Sequence, residues 1–259
     1  MPELPEVETL CRQLNEIIPG KKILAVEILD PRLKEVPSLI GKRVLSVHRR
    51  GKWIRIEMEN GPTAALHLRM TGRLLWLPDS APLPPHTRLM ITFAGGRVAL
   101  IDPRRFAVFC MLPEETDPAC LANPLEGIPA GRLREIAQGR RLPVKSFLMD
   151  QRFIAGIGNI YACEILFRAS VDPRRPAGSL TAAEWRRVEK ATAAVLLRAV
   201  ACRGTTVSDW RDLFGASGTN QEHLEVYSRE GEPCRRCGGG IERTTMGGRG
   251  TWFCPSCQK

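Results

Sequence analysis

Apolar residues recur every three or four positions near the start of the chain and every second position farther on. The first pattern comprises Val7, Leu10, Cys11, Leu14, Ile17 and Ile18, and it ends before Pro19 and Gly20. Residues at this spacing share one face of a helix. Pro5 and Glu6 fit the first turn, where the missing N–H of proline costs nothing and a carboxylate complements the helix dipole. We therefore predict an amino-terminal helix that includes Pro5 in its first turn.

Eight short segments between residues 22 and 112 have the alternation or the β-branched and aromatic content of strands. They are KILAVEIL, RVLSVHRR, KWIRIEME, TAALHLRM, GRLLWL, RLMITF, RVALID and FAVFCML, with Gly, Pro and Asn turns between them. In KWIRIEME, Ile54, Ile56 and Met58 share one face, as in a half-buried strand. FAGGRV predicts a hairpin. Residues 1–113 are therefore expected to form an antiparallel β-sandwich or barrel that carries the helix.

After residue 113 the sequence pattern indicates first a linker and then a helical region. Residues 114–129 are rich in Pro and acidic side chains without periodicity, which predicts a linker. Residues 130–230 are predicted to be mainly helical, with the clearest signals in TAAEWRRVEKATAAVLLRAVACRG. There Thr181 and Glu184 fit a capping box, and Gly204 stands where a left-handed residue ends a helix.

The length, the hydrophobic fraction and the net charge of the chain indicate the number of domains and the kind of partner. The 259 residues are 43% hydrophobic, which is enough apolar surface to form a large buried core. The length is compatible with one large domain or two modest ones, and we expect two. A formal charge of +10 favours a polyanionic partner, nucleic acid first and anionic membrane second. The sequence has no run of 18 apolar residues and no basic-then-apolar leader, so neither a membrane span nor a secretory signal is expected. An intracellular protein is the expectation.

The nine cysteines fall into two groups. Five are scattered through mostly apolar segments and are expected to be reduced and buried: Cys11, Cys110, Cys120, Cys163 and Cys202. Four form two C-x-x-C pairs with sixteen residues between them: Cys234, Cys237, Cys254 and Cys257. This spacing brings four thiolates within reach of one Zn²⁺, and the spacer is long enough for a two-stranded hairpin. Four protein ligands indicate structural rather than catalytic zinc, and disulfides are the alternative.

Three other motifs have both an ordinary structural interpretation and a nucleic-acid-binding one. MGGRGT places Arg249 at the tip of the predicted hairpin, either as a solvated turn or as a contact to DNA phosphates. In GIGNIYACE, Asn159 either caps a helix or helps to bind a phosphate, with Lys145 as a further phosphate contact. DPRRF is either a surface turn with Phe106 in the core or a pair of side chains, Arg104 and Phe106, that enter a duplex.

Pro2 and Glu3 precede the predicted helix and need a separate explanation. Removal of Met1 is expected because the next residue is small, and it leaves a secondary amine at Pro2. An α-amino group has a reference pKa of about 7.7–8.0, so a useful fraction is unprotonated near neutrality, unlike lysine at about 10.4. Such an amine is a nucleophile toward a sugar or carbonyl carbon, and Glu3 beside it is a candidate general acid.

Together, these motifs resemble those of the Fpg/Nei family of DNA glycosylases, specifically its formamidopyrimidine-DNA glycosylase branch. PELPEVETL, HLRMTGRL, DPRRF, LMDQRFIAGIGNIYACEILF, RGTT, VYSREGEPC and the four-cysteine segment occur in the family's order. The resemblance implies an α+β fold with an amino-terminal β-sandwich domain at 1–113, a helix-two-turn-helix domain at 130–230 and a zinc ribbon at 231–259. It also implies a lesion-capping loop near 215–225 and DNA in a cleft between the lobes.

The resemblance further implies a reaction. The family's catalytic amine falls on Pro2, which attacks C1′ of the damaged nucleotide, releases the base and forms an iminium with the opened sugar. Glu3 matches the acid that assists ring opening and proton transfer. Glu6 matches a supporting acid, and Lys52 matches a lysine close to the reacting phosphates. β-Elimination and then δ-elimination are expected to leave a gap with phosphate ends.

Two sets of side chains match family contacts with DNA. The family's contacts with the DNA backbone around the flipped nucleotide match His67, Lys145, Asn159 and Arg249. Arg249 is also expected to be one of the catalytic residues. The side chains that fill the vacated stack and engage the orphaned base are Met70, Arg104 and Phe106. The expected cofactor is one structural Zn²⁺, and the expected partner is damaged double-stranded DNA. Neither a membrane nor a nucleotide cofactor is expected. A monomer is expected in a bacterial-type cytoplasm, associated with the nucleoid through DNA.

One region departs from the family pattern. Between RGTT and VYSREG many members carry an aromatic Gly-Tyr-Phe-type stretch that caps an everted 8-oxoguanine, whereas this chain has VSDWRDLFGASGTNQEHLE, more polar around Ser217–Gln221. The departure affects the choice of lesion rather than catalysis. LPEVETL favours the Fpg branch, so oxidised purines rank above oxidised pyrimidines. A Nei-like glycosylase for oxidised pyrimidines and a non-catalytic damaged-DNA-binding protein are the alternatives.

Overall fold

The computed structural model of the chain describes residues 1–33, 39–112 and 123–259. Residues 114–122 of the predicted linker, together with Cys120, lie outside the described residues. The described residues belong to two units. The first lies within 1–118 and 202–221, and the second within 119–201 and 222–259.

The first unit begins with helix α1, Leu4–Ile17, whose apolar face is buried as predicted. Glu3 is the N-cap, and Pro5 lies in the first turn. Glu3 and Glu6 form a reciprocal capping box, because each side chain accepts the backbone N–H of the other residue. This arrangement satisfies backbone donors that the start of a helix otherwise leaves unpaired.

A strand lies in each of the eight predicted segments. They are β1 (Ile23–Ile28), β2 (Val44–Arg50), β3 (Trp53–Met58), β4 (Thr63–His67), β5 (Arg73–Leu77), β6 (Thr87–Phe93), β7 (Gly96–Ile101) and β8 (Val108–Leu112). The strands form two antiparallel sheets of order β1-β6-β7-β5 and β2-β3-β4-β8. The predicted hairpin joins β6 to β7, with Phe93 opposite Gly96.

Two separate sheets make the unit a β-sandwich rather than a closed barrel. Side chains of both sheets meet in one core, including Ile54 and Phe109 from one sheet and Ile91 and Leu100 from the other. Helix α1 contributes its apolar face to the same core. The α+β fold with a β-sandwich and an amino-terminal helix is confirmed for this unit.

Residues 202–221 pack in the first unit, although the sequence placed them in the helical domain at 130–230. Trp210 and Leu213 are buried in the sandwich core. The Leu213 carbonyl accepts a hydrogen bond from the N–H of Trp76, on edge strand β5, at 2.8 Å. Burial of two large apolar side chains and coverage of an unpaired sheet edge explain this placement. The segment is extended and looped up to Thr219 rather than helical.

The second unit contains the remaining helices, namely α2 (Arg132–Ala137), α3 (Val144–Met149), α4 (Asn159–Ala169) and α5 (Ala182–Ala201). The capping box predicted for α5 is present, since Thr181 N–H donates to Glu184 at 2.7 Å and Glu184 N–H donates to Thr181 Oγ1 at 3.3 Å. Gly204 has the predicted left-handed backbone, with φ of +84°, beyond the end of α5. None of the helices in the described part of the chain is long and apolar enough to cross a membrane.

The second unit ends in a two-stranded antiparallel ribbon. Strands β9 (Glu242–Met246) and β10 (Arg249–Phe253) form the hairpin predicted from the cysteine spacer. Its small core includes Ile241 and Cys254 and packs against Cys163 and Phe167 of α4. The ring of Tyr227 lies 4.5 Å from that of Trp252. The ribbon thus shares apolar surface with the helices of its own unit.

The placement of residues 202–221 gives a stability prediction. Trp210→Ala removes a core side chain, so we expect it to reduce the free energy of unfolding by about 3 kcal/mol. Phe214→Ala is the matched control in the same segment, because Phe214 is 56% exposed, and it should change stability by less than about 0.5 kcal/mol. Urea unfolding followed by circular dichroism measures both. Equal effects of the two substitutions would contradict the packing described here.

Candidate active site and nucleic-acid interface

The buried carboxylate of Glu6 connects the start of α1 to the 202–221 segment. Its Oε2 accepts the N–H of Glu3, and its Oε1 accepts the N–H of Thr205, each at 2.8 Å. Glu3 and Glu6 are both buried, and Pro2 is half-buried beside them. The peptide that follows Pro2 is therefore held by a hydrogen bond rather than free at the end of the chain.

The turn opposite Glu6 depends on Gly204. A Cβ atom at this position would lie 2.8 Å from Glu6 Oε1, so a larger residue would disturb the carboxylate. Asn220 donates to Thr205 Oγ1 at 2.8 Å, and Trp210 Nε1 donates to the Arg203 carbonyl at 3.0 Å. The RGTT motif alone did not predict a role for Thr205, because Thr205 supplies a backbone donor and its side chain gives no distinctive signal.

Lys52 lies in the turn between β2 and β3, and this turn is tied to α1. The buried Arg49 donates from Nε to Glu8 at 2.9 Å and from Nη1 to the Gly51 carbonyl at 3.0 Å. Lys52 itself is 7% exposed. Arg49 therefore fixes the position of the Lys52 backbone relative to the helix that begins beside Pro2, a role that no motif in the sequence predicted.

His67 ends β4 and is held as a neutral imidazole. Burial, followed by the nearby charges of Arg69 and Lys52, lowers the pKa of His67 to about 4. Nδ1 accepts the N–H of Arg69 at 3.0 Å, and the ring packs edge-on against Trp53 at 5.0 Å. A neutral imidazole that accepts at Nδ1 carries its proton on Nε2. His67 can therefore donate one hydrogen bond from Nε2.

Met70, Arg104 and Phe106 are exposed on two turns of the first unit. Met70 and Phe106 are each 46% exposed, so both apolar side chains are accessible to a ligand. The Arg104 guanidinium lies 4.6 Å from the centre of the Phe106 ring. The interpretation of DPRRF as a turn with Phe106 in the core is therefore wrong. An exposed apolar side chain stacked with a cation is available to a planar ligand such as a base.

In the second unit, Lys145 and Asn159 come together beneath strand β10. Lys145 Nζ donates to Asn159 Oδ1 at 2.6 Å and to Thr251 Oγ1 at 2.9 Å, and Asn159 Nδ2 donates to the Gly250 carbonyl at 3.0 Å. Lys145 is only 1% exposed. Both side chains thus support the strand that begins with Arg249.

Asn159 does not cap α4, because Gly158 is the N-cap residue and makes no side-chain cap. The preceding turn is held by Gln151, which accepts the Gly156 N–H at 2.8 Å and donates to the Ile157 carbonyl at 2.7 Å. The Gly156 N–H is therefore already engaged within the protein. Arg249 is exposed and follows Gly247 and Gly248 at the ribbon tip, as predicted.

The four cysteines of the ribbon converge on one point. Their Sγ atoms all lie within 4.8 Å of one another. The Cys234–Cys257 and Cys237–Cys254 sulfur atoms are 3.9 and 3.5 Å apart. Tetrahedral zinc with Zn–S bonds of about 2.3 Å needs sulfur atoms roughly 3.8 Å apart, whereas a disulfide needs about 2.05 Å. The cluster fits one structural Zn²⁺ with four thiolate ligands, and the disulfide alternative does not fit.

The other described cysteines are less uniform than expected. Cys11 and Cys163 are buried, but Cys110 and Cys202 are partly exposed. Burial raises the pKa of the Cys110 thiol, so it remains protonated at neutral pH. The prediction of buried thiols therefore holds for Cys11 and Cys163 and is wrong for the other two.

Comparisons with known proteins match most of the chain. Family models match in three parts: the formamidopyrimidine-DNA glycosylase N-terminal domain at residues 1–109, its H2TH domain at 125–210, and the zinc finger found in FPG and IleRS at 231–259. The formamidopyrimidine-DNA glycosylase of Roseiflexus sp. (strain RS-1) is 42% identical over 273 residues, covering 100% of both chains. The chain belongs to the formamidopyrimidine-DNA glycosylase family.

Solved structures of this family include complexes with DNA. A Lactococcus lactis FPG mutant bound to Fapy-dG containing DNA is 31% identical, with a TM-score of 0.92 and 100% coverage of both chains. The wild-type Lactococcus lactis FPG (MutM) bound to an oxidized pyrimidine containing DNA is 31% identical, with a TM-score of 0.91 and the same coverage. The predicted family, its α+β fold and its single structural zinc are confirmed.

The protonation state of His67 gives a testable prediction. We expect its ring to titrate with a pKa of about 4 and to carry the Nε2 proton at pH 7, as measured by NMR of the imidazole nitrogens. The unfolded chain takes up this proton near pH 6.5, before the folded protein does. His67 should therefore reduce stability progressively as the pH falls from about 6.5 to 4. A pKa near 6.5, or a proton on Nδ1, would contradict the geometry.

Proposed function

We propose that the chain is a base-excision repair enzyme that excises oxidised purines from duplex DNA and cleaves the resulting abasic site through Pro2. The observation that carries the proposal is the buried pair Glu3 and Glu6 at the start of α1, with Pro2 held directly beside it. Family membership supports the glycosylase activity, and the geometry around Pro2 supports the residue that performs it.

The position of Pro2 suits a nucleophilic amine. Met1 is 39% exposed and therefore accessible to the peptidase that would remove it. Because the Pro2–Glu3 peptide is planar, the hydrogen bond from Glu3 N–H to Glu6 also fixes the direction of the Pro2 Cα–C bond, so the proline ring can turn only about that bond. An amine that is already oriented needs less ordering when it meets the sugar carbon.

The proposed reaction proceeds in three stages. The Pro2 nitrogen forms a bond to C1′ as the glycosidic bond breaks, and the base leaves with its electron pair and is protonated. Glu3 protonates the sugar ring oxygen as the ring opens, which gives an iminium between Pro2 and the opened sugar. Loss of a C2′ proton then breaks the bond to the 3′ phosphate, and a second elimination breaks the bond to the 5′ phosphate. Glu6 supports Glu3 by holding its backbone.

Residues of the first unit would bind the DNA around this centre. The Nε2–H of neutral His67 is suited to donate to a phosphate oxygen, and Lys52 supplies positive charge close to the reacting phosphates. Met70, Arg104 and Phe106 are proposed to occupy the space left by the flipped nucleotide. Their exposure and the stacking of Arg104 on Phe106 support this role.

Residues of the second unit would contact the DNA backbone through the ribbon. Arg249 is the exposed side chain proposed to bind a phosphate. Lys145 and Asn159 support its strand through their hydrogen bonds to Gly250 and Thr251. Their direct contact with DNA stays a prediction, as do the predicted domain boundaries.

The polar residues of the loop near 215–225 bear on the choice of lesion. Asn220 is buried and donates to Thr205, and Gln221 accepts the Thr206 N–H at 2.9 Å and donates to the Gly218 carbonyl at 2.8 Å. These polar side chains thus hold the loop together. Oxidised purines remain the first proposal, and the family complex with an oxidized pyrimidine containing DNA favours oxidised pyrimidines as the second.

Damaged double-stranded DNA is the proposed partner, and the formal charge of +10 supports it. We infer a monomer that acts in the cytoplasm on nucleoid DNA. No nucleotide cofactor enters the proposed reaction.

Borohydride trapping tests the proposed function. Borohydride reduces an iminium to a stable amine, so the protein should become covalently attached to a duplex with 8-oxoguanine opposite cytosine. Trapping should be slower on a matched duplex with dihydrouracil. Pro2→Gly, which removes the secondary amine, should lose trapping on both.

The control is Pro5→Ala, since Pro5 lies in the same helix turn but carries no reacting group in the proposal. It should still be trapped. Failure of the wild type to be trapped on either lesion or on an abasic duplex would overturn the enzyme proposal in favour of a non-catalytic damaged-DNA-binding protein. Faster trapping on dihydrouracil would overturn the lesion ranking alone.

The ribbon contact has its own prediction. Arg249→Ala should weaken DNA binding and reduce the slope of log K against log salt concentration by about one, the effect of one phosphate contact. Fluorescence anisotropy at several salt concentrations measures the slope. Arg243→Ala on the neighbouring strand is a matched control, because Arg243 is exposed and lies against Trp252 instead. An unchanged slope for Arg249→Ala would indicate a solvated side chain.

A further inference from the structure

One buried carboxylate, Asp102, connects the two turns that carry Met70, Arg104 and Phe106. Its Oδ2 accepts the N–H groups of Phe106 and Ala107, each at 2.7 Å. Its Oδ1 accepts the Arg104 N–H at 3.2 Å and the hydroxyl of Thr71, the residue that follows Met70. Asp102 is 1% exposed. The hydrogen bond from the Thr71 hydroxyl to Asp102 thus joins the Met70 turn to the Arg104–Phe106 turn.

A second buried carboxylate completes the support. Asp30 accepts hydrogen bonds from the guanidinium groups of Arg88 and Arg105. Arg88 also donates to Asp102 at 3.3 Å and to the Ala107 carbonyl at 3.1 Å. The Arg105 hydrogen bonds lower the pKa of Asp30. Burial acts to raise the pKa of Asp102, but hydrogen bonds from Thr71 and the backbone together outweigh it and lower this pKa, so both groups remain charged at neutral pH.

The backbone of this region shows why it needs support. Arg105, with φ of +60°, and Arg69, with φ of +56°, both have left-handed backbone conformations. Such conformations cost free energy and persist only where the surrounding structure holds them. The Arg105 guanidinium pairs with Asp30, whereas that of Arg104 stacks on Phe106.

We propose that Asp102 is a positioning residue that holds the turns of Met70 and of Arg104–Phe106 as one preformed unit, with Thr71 as the connection and Asp30 with Arg88 as the second support. This inference rests on the proposed function, because it concerns how the three side chains fill the space of the flipped nucleotide. If the two turns are already held together, the protein does not lose conformational entropy by ordering each of them separately when DNA binds. The connection therefore affects the step that opens the stack and not the chemistry at Pro2.

The sharpest test uses Thr71→Val, which removes the hydroxyl and keeps the shape. Two substrates separate the steps: a lesion duplex, which has a stack to fill, and a single-stranded abasic oligonucleotide, which has none. We expect the ratio of the borohydride trapping rates, duplex over single strand, to fall about tenfold, the effect of losing one hydrogen bond to a carboxylate. Thr71→Ser retains the hydroxyl and should restore the ratio.

A binding measurement monitors the filling of the base stack without requiring catalysis. A duplex with a tetrahydrofuran abasic analogue opposite 2-aminopurine reports stacking of the orphaned base through its fluorescence. The fluorescence change on saturation with protein should be smaller for Thr71→Val than for the wild type and the same for Thr71→Ser. This readout remains valid if the wild type is not trapped, so failure of the proposed function and failure of this inference are distinguishable.

Asp102→Asn is the second variant, because both carboxylate oxygens of Asp102 accept hydrogen bonds and an amide retains only one acceptor oxygen. It should lower the duplex-to-single-strand ratio further than Thr71→Val. Asp172→Asn is its control in the other unit, since Asp172 accepts the N–H and guanidinium of Arg174 in a similar turn. It should leave the ratio unchanged.

Two results would overturn the proposal. The first is an unchanged ratio and unchanged fluorescence in Thr71→Val. The second is an equal loss of trapping on both substrates that Thr71→Ser does not restore, which would indicate a general effect on folding. Thermal unfolding of each variant identifies the second case.

Discussion

The structure around the proposed centre depends on the hydrogen bonds of one buried side chain, the Glu6 carboxylate. Its two oxygens accept N–H groups from Glu3 and Thr205, which are distant in sequence. A buried carboxylate is costly unless such donors compensate for lost water, so the two chain segments and the charge stabilise one another. The start of the chain, where Pro2 lies, is thereby fixed, and the absence of a side chain at Gly204 makes the approach possible.

The same physical arrangement recurs elsewhere in the molecule. Buried carboxylates accept several backbone N–H groups and thereby fix loops that have no regular structure of their own. Asp212 accepts from Phe214 and Ala216 in the first unit, and Glu164 accepts from residues 225–227 in the second. Charged acceptors form stronger hydrogen bonds than neutral ones, which suits them to loops that must keep one conformation.

Regular structure and the zinc cluster were predictable from the sequence, but the loops were not. Helix α1, eight strands and four ribbon cysteines follow local periodicity or spacing, which the sequence displays directly. The placement of residues 202–221 was missed because it depends on Trp210 and Leu213 packing in a core formed by residues more than one hundred positions away. Thr205 was missed because its contribution to the site is a backbone N–H that any residue carries.

We propose that the amino terminus, held by Glu3 and Glu6, is the reacting group. The most direct measurement is mass spectrometry of the protease-digested, borohydride-trapped complex, which identifies the residue that carries the DNA. We expect the adduct on the α-nitrogen of Pro2, in a peptide that lacks Met1. An adduct on a lysine such as Lys52, or a peptide that retains Met1, would contradict it.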